Sequence, residues 1–317
     1  MKKFSSGYVY IILSAVIFST MEVMLKTVKD AFAPMQITVL RFLVGGLLLI
    51  PFALRSMKKK QAAFRRSDLG FFALSGFLCV AFSMVLYQMA VVNAKASVVA
   101  VIFSCNPIFV TVLAHLILKE EIHRNQIFAL VLELAAIIII VNPFNTELDF
   151  TGVILSVCAA VAFAFYSVAG KRKSAEFGSI TVTCFSFLFG SAELMALLLL
   201  GRTSAVGSFF SSVGLGIFAD VPIIPHLSLR TLLPFLYICI IVTAGGYVCH
   251  MMAMEKTSAQ TASLVFFFKP ILAPIFAFVF LREEIPFNMI MGIICFLIGS
   301  GIAVIPGVLA QRKQHKV

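Results

Sequence analysis

Long apolar runs alternate with short charged segments along nearly the whole chain. A bilayer span needs about 20 mostly apolar residues. Ten stretches meet that length, at roughly 8–28, 36–54, 69–90, 96–118, 126–142, 151–170, 180–200, 232–252, 258–281 and 288–306. The loops between them are mostly short, which makes successive helices antiparallel and leaves no room for a soluble domain. A longer connection around 201–231 holds Pro222 and Pro225 and is expected on the surface. The pattern predicts an all-α integral membrane protein with ten transmembrane helices.

Charge then orients the bundle. With the N-terminus inside, inner segments hold 17 Lys and Arg and outer segments hold five. Positive charge favours the cytoplasmic side, so both termini are expected there. The first apolar run follows Lys2-Lys3 like a signal peptide. It is about 20 residues long and carries Glu22 and Lys26 without a small-residue cleavage site, and so reads as an uncleaved first span.

Composition agrees. Of 317 residues 61% are hydrophobic and only 12% charged, with a mean hydropathy of +1.06, where soluble domains carry about 25% charged residues. The net charge of +11 does not indicate nucleic acid, because the basic residues sit in loop clusters such as Lys58-Lys59-Lys60 and Lys171-Arg172-Lys173. Seven cysteines fall inside apolar runs with no CxxC and no His at metal spacing, and read as small buried hydrophobes. Neither a metal nor another cofactor is expected.

The second half of the chain repeats the first. An offset of 163 pairs Ala96 with Ala259, Phe103 with Phe266, Pro107 with Pro270 and Leu118 with Leu281. It continues through Glu120-Glu121-Ile122 and Glu283-Glu284-Ile285. Earlier positions align at an offset of 145, matching Phe18 with Phe163 and Lys26 with Lys171. The rise from 145 to 163 is an insertion of 18 residues between spans seven and eight. Two repeats of five spans, 1–145 and 146–317, must face opposite ways because five is odd. Inverted repeats characterise many secondary transporters, which alternate access by exchanging the conformations of the two halves.

On these residues the chain resembles the EamA-type family of the drug/metabolite transporter superfamily. The carrying motifs are Ala96 to Ile122, with Asn106-Pro107 and Lys119-Glu120-Glu121-Ile122, and the counterpart with Lys269-Pro270 and Leu281-Arg282-Glu283-Glu284-Ile285. The resemblance implies ten spans, a central cavity and movement of small metabolites or amino acids, often outward. It implies no named cargo.

Ionisable residues inside spans cost at least about 2.5–3.5 kcal/mol each on insertion scales, so each marks a cavity or a partner. Lys269 lies about 11 residues from each end of span nine and precedes Pro270, whose missing N–H frees the Phe266 carbonyl. Asn106 precedes Pro107 in the same way in span four. These two positions are the expected substrate-binding centre, with both helices bending at their prolines and Lys269 meeting an anionic group or an internal carboxylate. Glu22 and Arg41 lie at similar depth and are expected to pair. Glu22 is also a candidate for proton coupling. Glu22, Tyr87 and Tyr166 are candidate substrate-binding wall residues, and position 87 aligns with His250. Glu133 and Glu193 read as structural, His115 and His250 as capping or snorkelling residues, and the Glu120 and Glu283 helix ends as solvated.

These expectations describe a multi-pass carrier of the cell membrane. It works by alternating access on a small-molecule substrate, with protons as a candidate coupling partner. A channel is the alternative reading. An intramembrane enzyme is disfavoured, since the chain has no HExxH, GxSxG or paired-Asp arrangement.

Overall fold

The computed structural model of the chain describes residues 2–122, 124–141, 150–224 and 228–314. Pro225, part of the expected surface connection, lies outside them. The described residues form helices and turns with no strand. Helices α1 to α4 are Ser6–Thr27, Pro34–Lys60, Arg66–Asn93 and Ala96–Leu118, followed by α5, Arg124–Val141. Helices α6 to α8 are Phe150–Phe177, Ser179–Gly201 and Leu229–Lys256. Then come α9, built from Ala259–Ala262, Val265–Phe276 and Ala277–Leu281, and α10, Phe287–Gln314.

Seven of these helices are long and apolar enough to cross a membrane. The apolar parts of the other three, Ile127–Ile140, Phe268–Leu281 and Phe287–Gly299, are shorter. Several helices run past the apolar stretch that announced them: α2 continues to Lys60 and α6 to Phe177. A helix need not stop where lipid does, because its charged last turns are solvated in water. The outer surface carries Phe82, Leu116, Phe128, Ile138, Phe278 and Phe280, all exposed. That surface suits hydrocarbon as solvent, and the protein is a multi-pass membrane protein.

Close helix contacts depend on missing side chains. A Cβ on Gly76 of α3 would lie 2.4 Å from the Gly190 amide nitrogen of α7, and one on Gly292 of α10 would lie 2.2 Å from Ile140 of α5. In lipid, backbone approach of this kind takes the place of hydrophobic driving force between helices. Helices α5 and α10 pack mainly on each other at the periphery.

Local backbone features recur at the offset of 163. Wide π-type turns occupy Ala114–Leu118 in α4 and Ala277–Leu281 in α9. Each ends on a left-handed residue, Lys119 at φ 60° and Arg282 at φ 54°. For a residue with a Cβ that conformation costs roughly 1–2 kcal/mol, so surrounding contacts must hold it. The turn folds the chain back, with the Glu120 amide donating to the Ala114 carbonyl and the Glu283 amide to the Ala277 carbonyl, each at 3.3 Å.

Candidate functional site

Three helices bring one charged cluster together. Helix α1 breaks at Thr20, whose hydroxyl donates to the Ile17 carbonyl at 2.7 Å, and Glu22 opens the next turn. Helix α9 breaks at Ser263–Leu264, and Lys269 follows on the continuous segment Val265–Phe276. Tyr87 comes from α3. Lys269 Nζ lies 2.6 Å from Glu22 Oε1 and 3.4 Å from the Tyr87 hydroxyl, and the Tyr87 hydroxyl donates to Glu22. The ammonium also stands over the Tyr87 and Phe103 rings, 5.4 and 5.0 Å from their centroids. Glu22 and Lys269 are 1% and 0% exposed, so the pair is sealed from both sides of the bundle. At that burial desolvation rivals the Coulomb attraction, and the pair persists only because the partners match in charge and hydrogen bonding.

The expected Glu22–Arg41 pair does not form; Lys269 takes the carboxylate instead. Arg41 is fully buried, with its guanidinium 4.6 Å from the Phe42 ring and Nη1 donating to Met21 Sδ at 3.5 Å. Nε and Nη2 have no hydrogen-bond partner among the described residues. Depth along the sequence matched Arg41 to Glu22, but helix rotation decides which side chains meet, and rotation is a property of packing.

The proline expectation divides between the two helices. In α4 the helix breaks at Ser104–Cys105 and restarts at Asn106 with Pro107 in its first turn. In α9 the helix runs unbroken through Pro270, and the break lies upstream at Ser263–Leu264. There the Phe266 amide donates to the Ser263 carbonyl at 2.9 Å in a tighter turn. Pro270 has no N–H to offer the Phe266 carbonyl, yet the helix continues through it.

Asn106 is fully buried and donates to the Ala160 carbonyl at 2.8 Å, while its Oδ1 finds no partner among the described residues. Tyr166 is buried too, without a hydrogen-bond partner for its hydroxyl among the described residues. His250 does not snorkel: it is 1% exposed, and its Nε2 lies 3.2 Å from the Ser167 hydroxyl. Ser167, Asn106 and His250 are the repeat counterparts of Glu22, Lys269 and Tyr87, and Ser167 and His250 form a polar pair that answers the charged cluster. Between them lie Phe103 and Phe266, themselves counterparts, with centroids 5.9 Å apart. Sequence reading missed Ser167; the offset of 145 from Glu22 was the signal that would have found it.

Four further ion pairs tie the halves together, Lys60–Glu255 at 3.0 Å, Lys173–Asp68 at 2.8 Å and two whose carboxylates also cap helices. Glu283, just past α9, accepts from the Ala96 amide at 2.9 Å and from the Ser97 amide and hydroxyl at 3.1 and 2.8 Å, capping α4. Lys26 of α1 reaches the same carboxylate at 3.4 Å. Glu120, just past α4, accepts from the Ala259 amide at 3.2 Å, capping α9, and pairs with Lys171 of α6 at 2.7 Å. Carboxylates are stabilised at helix N-termini, where amide donors are otherwise unpaired. These helix ends are therefore not simply solvated, and Lys26 pairs with Glu283. Burial alone pushes the Glu283 carboxyl up, but the Ser97 and Ala96 donors and Lys26 outweigh it and hold it below its ordinary value of 4.5.

Beside Lys26 opens a cavity of about 330 Å³, lined among others by Lys29, Asp30, Phe32, Gln88 and Val91. It adjoins the Lys26–Glu283 pair and not the Lys269 cluster. Among the described residues no group of His, Cys, Asp and Glu is placed to hold a metal ion.

A lipid-facing helical bundle that seals ionisable side chains in its core, between charged contacts at two ends, is built as a membrane transporter. The chain belongs to the EamA-like transporter family, whose model matches residues 5–142 and 202–305. An "uncharacterized transporter" of Clostridium kluyveri is 36% identical over 303 residues, covering 93% of this chain and 91% of its own length. Protein PagO of Salmonella typhimurium is 25% identical over 281 residues, covering 86% and 84%. A solved crystal structure shares the fold with a TM-score of 0.70 at 15% identity, covering 97% of this chain and 98% of that one.

Proposed function

We propose that the chain is a secondary carrier that moves small metabolites or amino-acid-like solutes across the cell membrane by alternating access. Ten helices form two inverted five-helix repeats, 1–145 and 146–317, with both termini cytoplasmic. The observation that carries this reading is the sealed Glu22–Lys269–Tyr87 cluster. A neutral, packed core would be more stable than a buried ion pair, so the retained charges have a use beyond folding. In the transport cycle the substrate's polar groups take over contacts that Glu22 and Lys269 now make with each other. Asn106 and Tyr166 offer further hydrogen-bonding atoms.

Closure at the two faces falls to the two reciprocal clasps. Lys26–Glu283 joins α1, α4 and α9 at the outer end, next to the cavity that serves as an outer vestibule. Lys171–Glu120 joins α6, α4 and α9 at the inner end. Each clasp links the two repeats, so rocking one repeat against the other releases one clasp while the other holds. Glu22 is the carboxylate available for proton coupling. Outward movement is the direction that the family resemblance implies.

The test is counterflow into proteoliposomes of amino acids and small organic acids, comparing the wild type with Lys269→Ala. The expected result is saturable exchange that the variant loses for every cargo. Unsaturable conductance in the wild type would establish a channel instead. Equal exchange by both proteins would remove the site.

A further inference from the structure

Arg41 is the outstanding unpaired charge of the core. Its guanidinium is fully buried, no carboxylate lies in ion-pair range among the described residues, and two of its three nitrogens have no partner there. What surrounds it is neutral: Met21 and Phe42, with Tyr87, Tyr247, Cys79 and Cys239 nearby. An arginine cannot shed its proton to escape burial, unlike lysine or a carboxyl. Glu22 is committed to Lys269 at 2.6 Å and cannot also balance Arg41. Around this cluster Lys269 and Arg41 therefore face one carboxylate, Glu22, since Glu133, also buried, forms no ion pair with Arg41 among the described residues.

We propose that Arg41 is the receptor for the cargo's anionic group, and that the cargo is a small carboxylate of net charge −1. This rests on the carrier reading above and narrows its substrate class. A planar guanidinium with Nε and Nη2 both free presents the fork that a carboxylate fills with two parallel hydrogen bonds. Tyr87 ties this receptor to the Lys269 cluster, because it touches Glu22 and Lys269 and stands near Arg41. Substrate arriving at Arg41 is therefore adjacent to the cluster whose contacts change during transport. The repeat counterpart of Arg41 is Ser186, whose hydroxyl shares a 2.7 Å hydrogen bond with Ser75. The unpaired cation thus belongs to one half only, as expected of a residue serving a ligand rather than the scaffold.

The experiment measures melting of the purified full-length protein in chloride-free sulfate buffer, with unfolding followed through its buried cysteines. Probes are acetate, lactate and pyruvate, their primary amides, the amino acids glycine and alanine, and chloride. The wild type is expected to be stabilised by the monocarboxylates and not by their amides. Arg41→Met should raise the ligand-free melting temperature by at least about 2 °C, because it removes an uncompensated charge at similar volume. It should also abolish the carboxylate shift and lower carboxylate counterflow about thirtyfold or more. Arg41→Lys keeps the charge without the fork and should retain only part of that shift. A lower melting temperature or failure to fold for Arg41→Met makes the guanidinium structural and overturns the proposal. So does a preference for zwitterions, or an Arg41-dependent shift produced fully by chloride. If carboxylates stabilise the wild type through Arg41 but no solute is moved, the carrier reading fails and the receptor stands. If the wild type transports carboxylates and Arg41→Met does so equally well, the receptor fails and the carrier stands.

Discussion

Glu120 at the end of α4 caps the start of α9, and Glu283 at the end of α9 caps the start of α4. This reciprocity places one clasp at each end of an antiparallel helix pair, each reinforced by a lysine from the repeat that the carboxylate does not belong to. Left-handed Lys119 and Arg282 turn the carboxylates into place, and the capping contacts hold the backbone in that conformation.

Removing one clasp should expose the core from one side only. With a single cysteine at Phe103→Cys in a cysteine-free background, Lys26→Ala should raise labelling by an impermeant maleimide about tenfold from outside, equivalent to ~1.4 kcal/mol. Lys171→Ala should do the same from inside, measured in inverted vesicles. Equal gains from both faces for either variant would reduce the clasps to ordinary structural contacts.

The Lys26–Glu283 clasp has a defined pH response. Glu283 is held below its ordinary 4.5 while the clasp is closed and returns toward it when the clasp opens. A depressed carboxyl stabilises the closed form fully above the open-form value and loses that contribution as pH falls through the closed-form value. Labelling from that face should stay flat between about pH 5 and 8 and rise only as pH falls below the ordinary carboxyl value of 4.5. Glu283→Gln should remove the acid rise. A steep change near pH 6 would implicate a different group.

The core ion pair should behave as a unit. Lys269→Met alone leaves the Glu22 carboxylate buried without its cation and is expected to cost about 3–5 kcal/mol. Glu22→Gln with Lys269→Met removes both charges and should recover most of that loss in a denaturation assay without restoring transport. Additive losses in the double variant would mean that the 2.6 Å contact is not maintained in the membrane.

Packing between α3 and α7 sets a steric limit. Gly190→Val places new atoms against the Gly76 carbonyl, which a Cβ would approach to 2.3 Å. The helices must separate, and a stability loss of about 1–3 kcal/mol or more is expected. A Cβ on Gly70 would meet nothing within 4 Å, so that position should accept alanine without loss. Comparable melting temperatures for the two variants would contradict the close approach.

Residue pattern alone made the helices, the membrane environment and the repeat legible, because each depends on local quantities. Apolar length reports a span, and a fixed offset reports a duplicated unit. Lys269, Glu22 and Tyr87 were also legible as candidates, since an ionisable or hydroxyl group in an apolar run is conspicuous. Their partnership was not. Sequence depth assigned Glu22 to Arg41, whereas Glu22 met Lys269, and the break in α9 fell at Ser263–Leu264, upstream of Pro270. The motif Lys119-Glu120-Glu121 read as a solvated helix end because nothing along the chain indicates that another helix begins beside it.

The sequence by itself determined that this chain folds as helices in lipid, that its second half echoes its first, and which side chains are too costly to bury without purpose. Only the tertiary structure decided which of those charges neutralise each other and which one, Arg41, is left over. The physical reason is that hydrophobic periodicity fixes how deep a residue lies, while the rotation and breaks of packed helices fix what it faces.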